Sequence, residues 1–377
     1  MNKKEVAEVK KQFNITNSKS AFNKMITAYV TEDHEIGFMN VRHFMAMPEV
    51  EQLIWMEAFK KSLGGSIGKN LLELTFPIVN GTEGPCQNLL YEVSQDGFSN
   101  SDKNDEFIQH IVDGFDYAGE YFIAALSVSY SIPVSGKNTD EDGEDSEELY
   151  NFVITAICPI NKVGYNMCLS ADKSSCEKCD DTKMEVGKPM HGILFPTFND
   201  RSSDVHSVMY FTAKPKEMSH SIIEKVLGCG EKLAADEQKE KFNNMLARVL
   251  DADSTFNVTS AIHQELNEII GNHCMESDPV ELSQEEIKKI LERSGVDESN
   301  LEEFDDIYEE EVGDGVCLTA VNITNESAMK VNSPDIKINV KPKASEKVKA
   351  QLVDGKRCLV IALDETVEVN GVDCVVR

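Results

Sequence analysis

Long apolar runs are absent from this sequence of 377 residues. A membrane-spanning helix needs about 20 consecutive apolar residues, and no segment approaches that length. The opening segment, MNKKEVAEVKKQF, has the charge pattern of an amphipathic helix and lacks the apolar stretch of a signal peptide. These absences favour a cytoplasmic protein that does not contact a membrane.

Regular cysteine spacing is also missing. The ten cysteines follow no repeated pattern, which is typical of reduced thiols in a cytosolic protein. One C-x-x-C pair, Cys176 and Cys179, lies near Cys158 and Cys168, whereas a structural zinc site usually has two such pairs. An acidic segment ends at Leu149, where a calcium-binding EF-hand loop has glutamate. We therefore expect neither a metal nor a cofactor.

Basic side chains are scarce relative to acidic ones. The chain has 37 Lys and Arg against 66 Asp and Glu, which gives a net charge of -29. Residues 1–80 are nearly neutral, with 10 basic and 9 acidic side chains, so residues 81–377 carry the acidic excess. Such asymmetry is typical of a nucleic-acid-facing end on a solubilising body. The alternative is that the two parts of the chain bind each other.

The nearly neutral part contains a glycine- and lysine-rich segment, FKKSLGGSIGKNL. A nucleotide-binding P-loop has the form G-x-x-x-x-G-K-[ST] and lies between a strand and a helix. Here Gly64 and Gly68 are one residue too close, and Asn70 replaces the hydroxyl residue. The predicted helix also precedes the predicted strand. The segment is therefore not expected to be a P-loop.

The lysines of that segment, Lys60, Lys61 and Lys69, indicate a looser role. Three cations around flexible glycines suit contact with a phosphate backbone, so we expect RNA or the ribosome as the partner. Two alternatives stay open. In one, a glycine ends the helix and the lysines lie at the negative end of the helix dipole. In the other, the lysines bind the acidic run at residues 302–311.

The densest group of reactive side chains lies in residues 190–212, MHGILFPTFNDRSSDVHSVMYFT. Two apolar runs flank a loop that we expect to be too long for a tight hairpin. The loop contains Asp200, Arg201, Asp204 and His206, and the last two would share one face of a strand. A carboxylate beside an imidazole suits acid–base catalysis or metal binding, and arginine suits phosphate. The alternative is structural, with the aspartates capping the turn and Arg201 paired with one of them.

Apolar periodicity predicts an α+β protein with a central, mostly antiparallel sheet and flanking helices. Helices are predicted at 3–13, 48–62, 83–96, 103–114 and through 217–312, and strands at 25–30, 71–76, 118–132, 149–158 and 316–323. The predicted regions are an N-terminal α/β region with the basic loop at 1–116, a central β-sheet region at 117–215, a helical acidic region at 216–314, and a small C-terminal β-rich module at 315–377.

Four segments carry a resemblance to a known family: MNKKEVAEVKKQF, FKKSLGGSIGKNL, LFPTFNDRSSDVHSVMYFT and DGKRCLVIALDETVEVNGV. Together they resemble the bacterial family of domain of unknown function 4317, nearly end to end. The resemblance implies a common fold and supplies no activity, cofactor or catalytic residue. The family pattern has no cysteine cluster at Cys168, Cys176 and Cys179, which argues further against zinc.

Two functions are consistent with these patterns. The first is a cytoplasmic binding or regulatory protein that contacts RNA or the ribosome through Lys60, Lys61 and Lys69. The second is a small-substrate hydrolase or phosphodiesterase that uses the loop at 199–206. The sequence lacks a nucleophile elbow, a complete metal motif and a true phosphate loop, which favours the first function.

Overall fold

The structure is a computed structural model that divides into two compact units, residues 1–234 and 235–377. The residues left out of its description are 18, 78–82, 133–147, 164–166, 170–173, 179–182, 231–232, 252–254, 274–278, 325–328, 334, 342–343, 345–346, 364–366, 370–371 and 375–377. Predictions for Cys179 and for most of the acidic segment before Leu149 therefore fall outside the described residues.

The first unit contains all the elements up to residue 234. Its helices are α1 (Lys3–Gln12), α2 (Glu49–Lys61), α3 (Pro85–Asp96) and α4 (Ser101–Gly114). Its strands are β1 (Ser20–Val30), β2 (Ile36–His43), β3 (Leu71–Thr75), β4 (Tyr121–Ile132), β5 (Glu148–Val163), β6 (Met167–Leu169), β7 (Cys176–Lys178), β8 (Lys183–Val186), β9 (His191–Phe195), β10 (Thr197–Asn199), β11 (Ser202–Asp204) and β12 (Ser207–Thr212). The four helices predicted for this unit are confirmed, with ends that differ by at most two residues.

One eight-stranded sheet organises this unit. Its strands follow the order β2-β1-β4-β5-β9-β12-β3, and β8 pairs with β5 outside that path. Every described pairing within it is antiparallel. The α+β class and the antiparallel sheet that the sequence predicts are therefore confirmed. The sheet takes strands from both sides of residue 116, where the sequence predicts a boundary between regions.

Both faces of this sheet are buried, which explains the uninterrupted apolar runs of its central strands. On β4, Tyr121 and Ile123 pack on one side against α3 and α4. Phe122 and Ala124 pack on the other side against α1 and α2. Ile123 is fully buried, and burying one such side chain contributes about 1.5–3 kcal/mol. The first unit is thus a sheet between two helical layers.

Helix α1 is specified by its own sequence. The Asn2 side chain accepts the Glu5 backbone N–H, and the Glu5 carboxylate accepts the Asn2 backbone N–H, which together form a capping box. Lys10 and Lys11 lie in the last turn, at the negative end of the helix dipole. Their position at this end brings both lysines into the site described below.

The second unit is helical first and β-rich afterwards. Its helices are α5 (Ala235–Leu250), α6 (Phe256–Asn272), α7 (Gln284–Arg293), α8 (Glu298–Leu301), α9 (Phe304–Glu311) and α10 (Ala320–Ile323). Its strands are β13 (Glu281–Leu282), β14 (Leu318–Thr319), β15 (Met329–Asn332), β16 (Lys337–Val340), β17 (Val348–Val353), β18 (Lys356–Ile361), β19 (Val367–Val369) and β20 (Val372–Cys374). Among all described helices of the chain, none is long and apolar enough to span a membrane.

The strand predicted at 316–323 is wrong in its second half. Only Leu318 and Thr319 form a strand, and the chain then turns into α10. The Gln238 side-chain oxygen on α5 accepts the Thr319 backbone N–H at 2.8 Å and the Asn322 amide at 3.3 Å. Because a short apolar run fits a strand and a buried helix equally well, its periodicity does not separate the two.

Candidate functional site

Residues 197–204 form a small hairpin of their own. Strands β10 and β11 pair with each other, and Asp200 and Arg201 form the two-residue turn between them. Their φ angles of 49° and 58° are both left-handed, as a type I′ hairpin turn requires. The connection between the two apolar strands is thus longer than a tight turn, as the sequence predicts, and it forms a second hairpin instead of an irregular loop.

The hairpin turn is held by two glutamates of α1. The Asp200 backbone N–H donates to Glu5 Oε1 at 2.8 Å, and the Arg201 guanidinium donates to Glu8 Oε1 at 3.2 Å. Tyr130 OH donates to the same Glu8 oxygen at 2.8 Å. Arg201 therefore forms an ion pair with Glu8 on another element, whereas the structural alternative predicted a pair with an aspartate of its own loop.

The Asp204 and His206 side chains are not aligned as a catalytic pair. One Asp204 oxygen accepts the Asn199 amide at 2.9 Å, and the other accepts the His206 backbone N–H at 3.0 Å. Burial opposes ionisation of Asp204, but these hydrogen bonds lower its pKa below the ordinary value. His206 lies in the turn after β11 with its side chain exposed, so the strand face expected for the two residues is not formed.

Metal ligands do not converge in the part of the chain that the structure describes. It contains no group of three or more His, Cys, Asp or Glu residues that could hold a metal ion. Cys158 is buried, and burial raises the pKa of its thiol to about 12. Cys176 is exposed. The Cys158 thiol is therefore held in its neutral form.

The glycine- and lysine-rich segment forms a tight loop between α2 and β3. Gly65 has a φ of +85°, and a Cβ atom there would lie 2.4 Å from the Asn70 Cβ, so only glycine fits. The Asn70 amide donates to the Thr212 carbonyl at 3.0 Å, and its oxygen accepts the Ser66 backbone N–H at 3.3 Å. Asn70, which stands where a P-loop has its magnesium-binding hydroxyl, thus fastens the loop to the end of β12.

An open groove of about 880 Å³ lies beside this loop, and we call it the lysine groove. The lysines that line it come from the ends of α1 and α2 and from the segment between β8 and β9: Lys10, Lys11, Lys60, Lys61 and Lys188. Among the described lining residues, Glu57 is the only acidic one, and Phe211 provides an apolar surface. Lys69 is exposed and does not line the groove. Only two of the three lysines that the sequence singles out are therefore brought together here.

Positive charge in this groove is largely uncompensated. Lys61 has a long contact of 3.8 Å with Glu57. The other four lysines form no ion pair with any described residue. Burial lowers the pKa of Lys10, as expected for an ammonium group that loses water without gaining an anion. The lysine groove is thus a local cationic site in a chain of net charge -29.

Sequence reasoning misses three of the five groove lysines. Lys10 and Lys11 have the pattern of a solvated helix face, and Lys188 is isolated in its neighbourhood. One signal was available, because Lys10-Lys11 and Lys60-Lys61 are both lysine pairs in the last turn of a helix. That signal does not reveal that the two helix ends meet.

A family model for a domain of unknown function, DUF4317, matches residues 1–372. A comparison with curated proteins and a comparison with solved structures each give no match. The family match extends through both compact units.

Proposed function

We propose that this chain, which belongs to the DUF4317 family, is a binding protein that holds single-stranded RNA, alone or within the ribosome, in its lysine groove. Lysine ammonium groups neutralise phosphates and release the counterions condensed on them, which makes such binding favourable and salt-sensitive. A single strand suits the groove better than a duplex, because it can follow a short curved surface while the acidic remainder of the chain repels a long polyanion.

The observation that carries this proposal is the set of four groove lysines without a carboxylate partner. The chain has 66 acidic side chains available, yet Lys10, Lys11, Lys60 and Lys188 are paired with none that the structure describes. Like charges held close together oppose folding unless an anion joins them. A bound phosphate backbone supplies that anion.

Helix dipoles explain only part of the arrangement. Lys10, Lys11, Lys60 and Lys61 each lie at the negative end of a helix, where a cation contributes about 0.3–1 kcal/mol. This effect does not account for Lys188, which lies between two strands. It also does not require the ends of α1 and α2 to line the same groove.

The salt dependence of RNA binding tests the proposal. Each phosphate neutralised on a single strand contributes about 0.7 to the slope of log affinity against log salt. Five lysine contacts therefore predict a slope of about -3.5, so raising salt from about 50 to 200 mM should weaken binding roughly 100-fold. Fluorescence anisotropy with a labelled oligouridylate measures this slope. The double variant Lys10→Gln/Lys188→Gln should reduce the slope to about -2, because two contacts are removed.

Lys69→Gln is the matched control, because Lys69 belongs to the same loop and does not line the groove. We expect its affinity and slope to equal those of the unaltered protein. A loss in Lys69→Gln as large as that in Lys60→Gln would reject the groove. The remaining alternative is that the lysines bind acidic residues of the same chain. In that case replacing them should lower the melting temperature, whereas replacing lysines that bind only RNA should leave it unchanged.

The hydrolase alternative at 199–206 has no comparable support. Arg201 is directed to Glu8, and both oxygens of Asp204 accept hydrogen bonds from the hairpin and its flanking turn. The Arg201 contact holds the hairpin to α1, and the Asp204 contacts hold the hairpin and its flanking turn together. We therefore propose the binding function alone.

A further inference from the structure

A second cavity adjoins the lysine groove, and we call it the His191 cavity. Its volume is about 990 Å³. It shares the lining residues Lys61, Lys188, Pro189 and Ala213 with the groove, so the two spaces lie next to each other. An RNA strand whose phosphates lie in the groove can therefore direct a base towards this cavity.

His191, which lines the cavity, is buried and leaves one ring nitrogen unused. Its side chain is on β9, the residue is 6 % exposed, and its Nδ1 lies 2.8 Å from Tyr210 OH. The Tyr210 oxygen also accepts the Ser219 backbone N–H at 2.9 Å. We assign the phenol as donor to Nδ1, which leaves the ring hydrogen on Nε2. That nitrogen has no hydrogen-bond partner among the described residues.

The imidazole is a neutral donor at physiological pH. Burial lowers the pKa of His191 to about 4, although the nearby Glu217 carboxylate acts in the opposite direction. A neutral N–H matches a neutral acceptor, such as a carbonyl oxygen or a ring nitrogen, better than it matches a phosphate. His191 therefore differs in its preferred ligand atom from the lysines of the adjoining groove.

The charged side chains around the cavity do not change the preference of His191 for a neutral acceptor. Glu217 pairs with Lys214 at 2.8 Å, and Asp116 pairs with Lys225 at 2.8 Å. Glu185 is exposed. The two lysines shared with the groove complete the charged lining. Glu217 and Asp116 are thus each matched by a lysine, and Lys61 and Lys188 add positive charge where the cavity and the groove share residues.

Aromatic rings lie beside the His191 ring. Phe115 meets the His191 ring edge-on, with 5.5 Å between ring centroids. Tyr117 stacks on Phe115 at 5.5 Å with an interplanar angle of 9°, and both rings line the cavity. A flat, aromatic ligand with polar edges would match this lining, because single-stranded bases are commonly held by aromatic packing together with one or two hydrogen bonds.

We infer that the His191 cavity receives one nucleobase of the RNA whose phosphates lie in the lysine groove, with His191 Nε2–H donating to an acceptor on the base edge. The inference rests on the proposed function for the phosphate contacts. The base itself is recognised by separate residues, so the two parts can be tested apart.

The first experiment uses mononucleotides and the full chain labelled with ¹⁵N-histidine. Uridine 5′-monophosphate and ribose 5-phosphate carry the same phosphate, and only the first carries a base. Long-range ¹H–¹⁵N spectra follow the ring nitrogens of the eight histidines, and His191 is assigned by its loss in His191→Phe. We expect uridine 5′-monophosphate, and not ribose 5-phosphate, to shift the His191 Nε2 signal. The exposed His43 on β2 serves as the internal control and should not respond.

The second experiment measures affinity for an oligouridylate and for an abasic oligonucleotide of equal length and charge. One base held by stacking and a hydrogen bond should give a preference of about tenfold for the oligouridylate. The His191→Phe variant should lose this preference, and His43→Gln should keep it.

Each pattern of results separates the two ideas. If both oligonucleotides bind equally and the His191 signal is unmoved, the base inference is overturned and the lysine groove stands. If uridine 5′-monophosphate shifts His191 while neither oligonucleotide binds, the base cavity stands and the RNA proposal is overturned. If no signal moves and no oligonucleotide binds, both are overturned.

Discussion

Acid should destabilise the first unit, because protonation of the buried His191 is unfavourable in the folded chain. The pKa of this imidazole is about 4 in the folded chain, against 6.5 for an ordinary histidine. The unfolded chain therefore binds more protons between these values, and stability falls as pH drops from above 6.5 towards 4. Each pKa unit corresponds to about 1.36 kcal/mol, so the full loss is about 3 kcal/mol, of which about 2 kcal/mol occurs between pH 7 and pH 5.

The perturbation that isolates this effect is His191→Gln, which removes the titrating group. Other groups, such as His110 with its raised pKa, contribute equally to both proteins and cancel in the difference. Urea unfolding gives the free energy of each protein. Trp55 is the only tryptophan, and it stacks on Phe122 at 5.6 Å, so its fluorescence reports the first unit.

We expect the stability advantage of the unaltered protein over His191→Gln to shrink by about 2 kcal/mol from pH 7 to pH 5. The matched control is His43→Gln, which makes the same substitution at an exposed histidine on β2. A difference that stays constant across this range would refute the reasoning, since it would mean that His191 titrates alike in the folded and unfolded chains.

Three further predictions concern other parts of the first unit. Arg201→Ala should lower the free energy of unfolding by up to about 1 kcal/mol, because the partly exposed pair with Glu8 is lost. An unchanged urea midpoint would contradict this structural role. Gly65→Ala should lower the free energy of unfolding by about 1–3 kcal/mol, because the φ of +85° and the lack of space at this position both disfavour a side chain. Gly230→Ala, which meets no atom within 4 Å, should change stability by less than about 0.5 kcal/mol, and equal effects would reject the argument. Cys158, with its pKa raised to about 12, should resist iodoacetamide at pH 8 in the folded protein, and rapid alkylation seen by mass spectrometry would show that it is not buried.

Regular periodicity accounts for the parts of the fold that the sequence predicts well. The apolar spacing in 103–114 and the long apolar run at 118–132 identify α4 and β4, because each pattern is long enough to exclude the other type of element. Strand β2 (Ile36–His43) escapes prediction because it is an edge strand whose side chains are mostly exposed, so it has no buried alternation.

The candidate site is harder to predict because it depends on turns and on contacts between distant residues. The Asp200-Arg201 turn lacks the glycine that usually marks a type I′ turn, so the sequence suggests a loop where the chain forms a hairpin. The lysine groove combines side chains near residues 10, 60 and 188, and no local pattern predicts that they meet. His191 gives no signal either, because a single histidine next to an apolar run is most simply a core residue.

The strand order has a consequence for the order of events during synthesis. Strand β3 pairs only with β12 in the main sheet, yet β3 ends at Thr75 and β12 begins at Ser207. At ~5–20 residues per second, the ribosome needs about 7–26 s to make the intervening residues. During that interval β3 has no partner, and the anchor between Asn70 and Thr212 is also missing. We therefore expect the lysine groove to be completed only after β12 has been made, because Phe211 of that strand lines it.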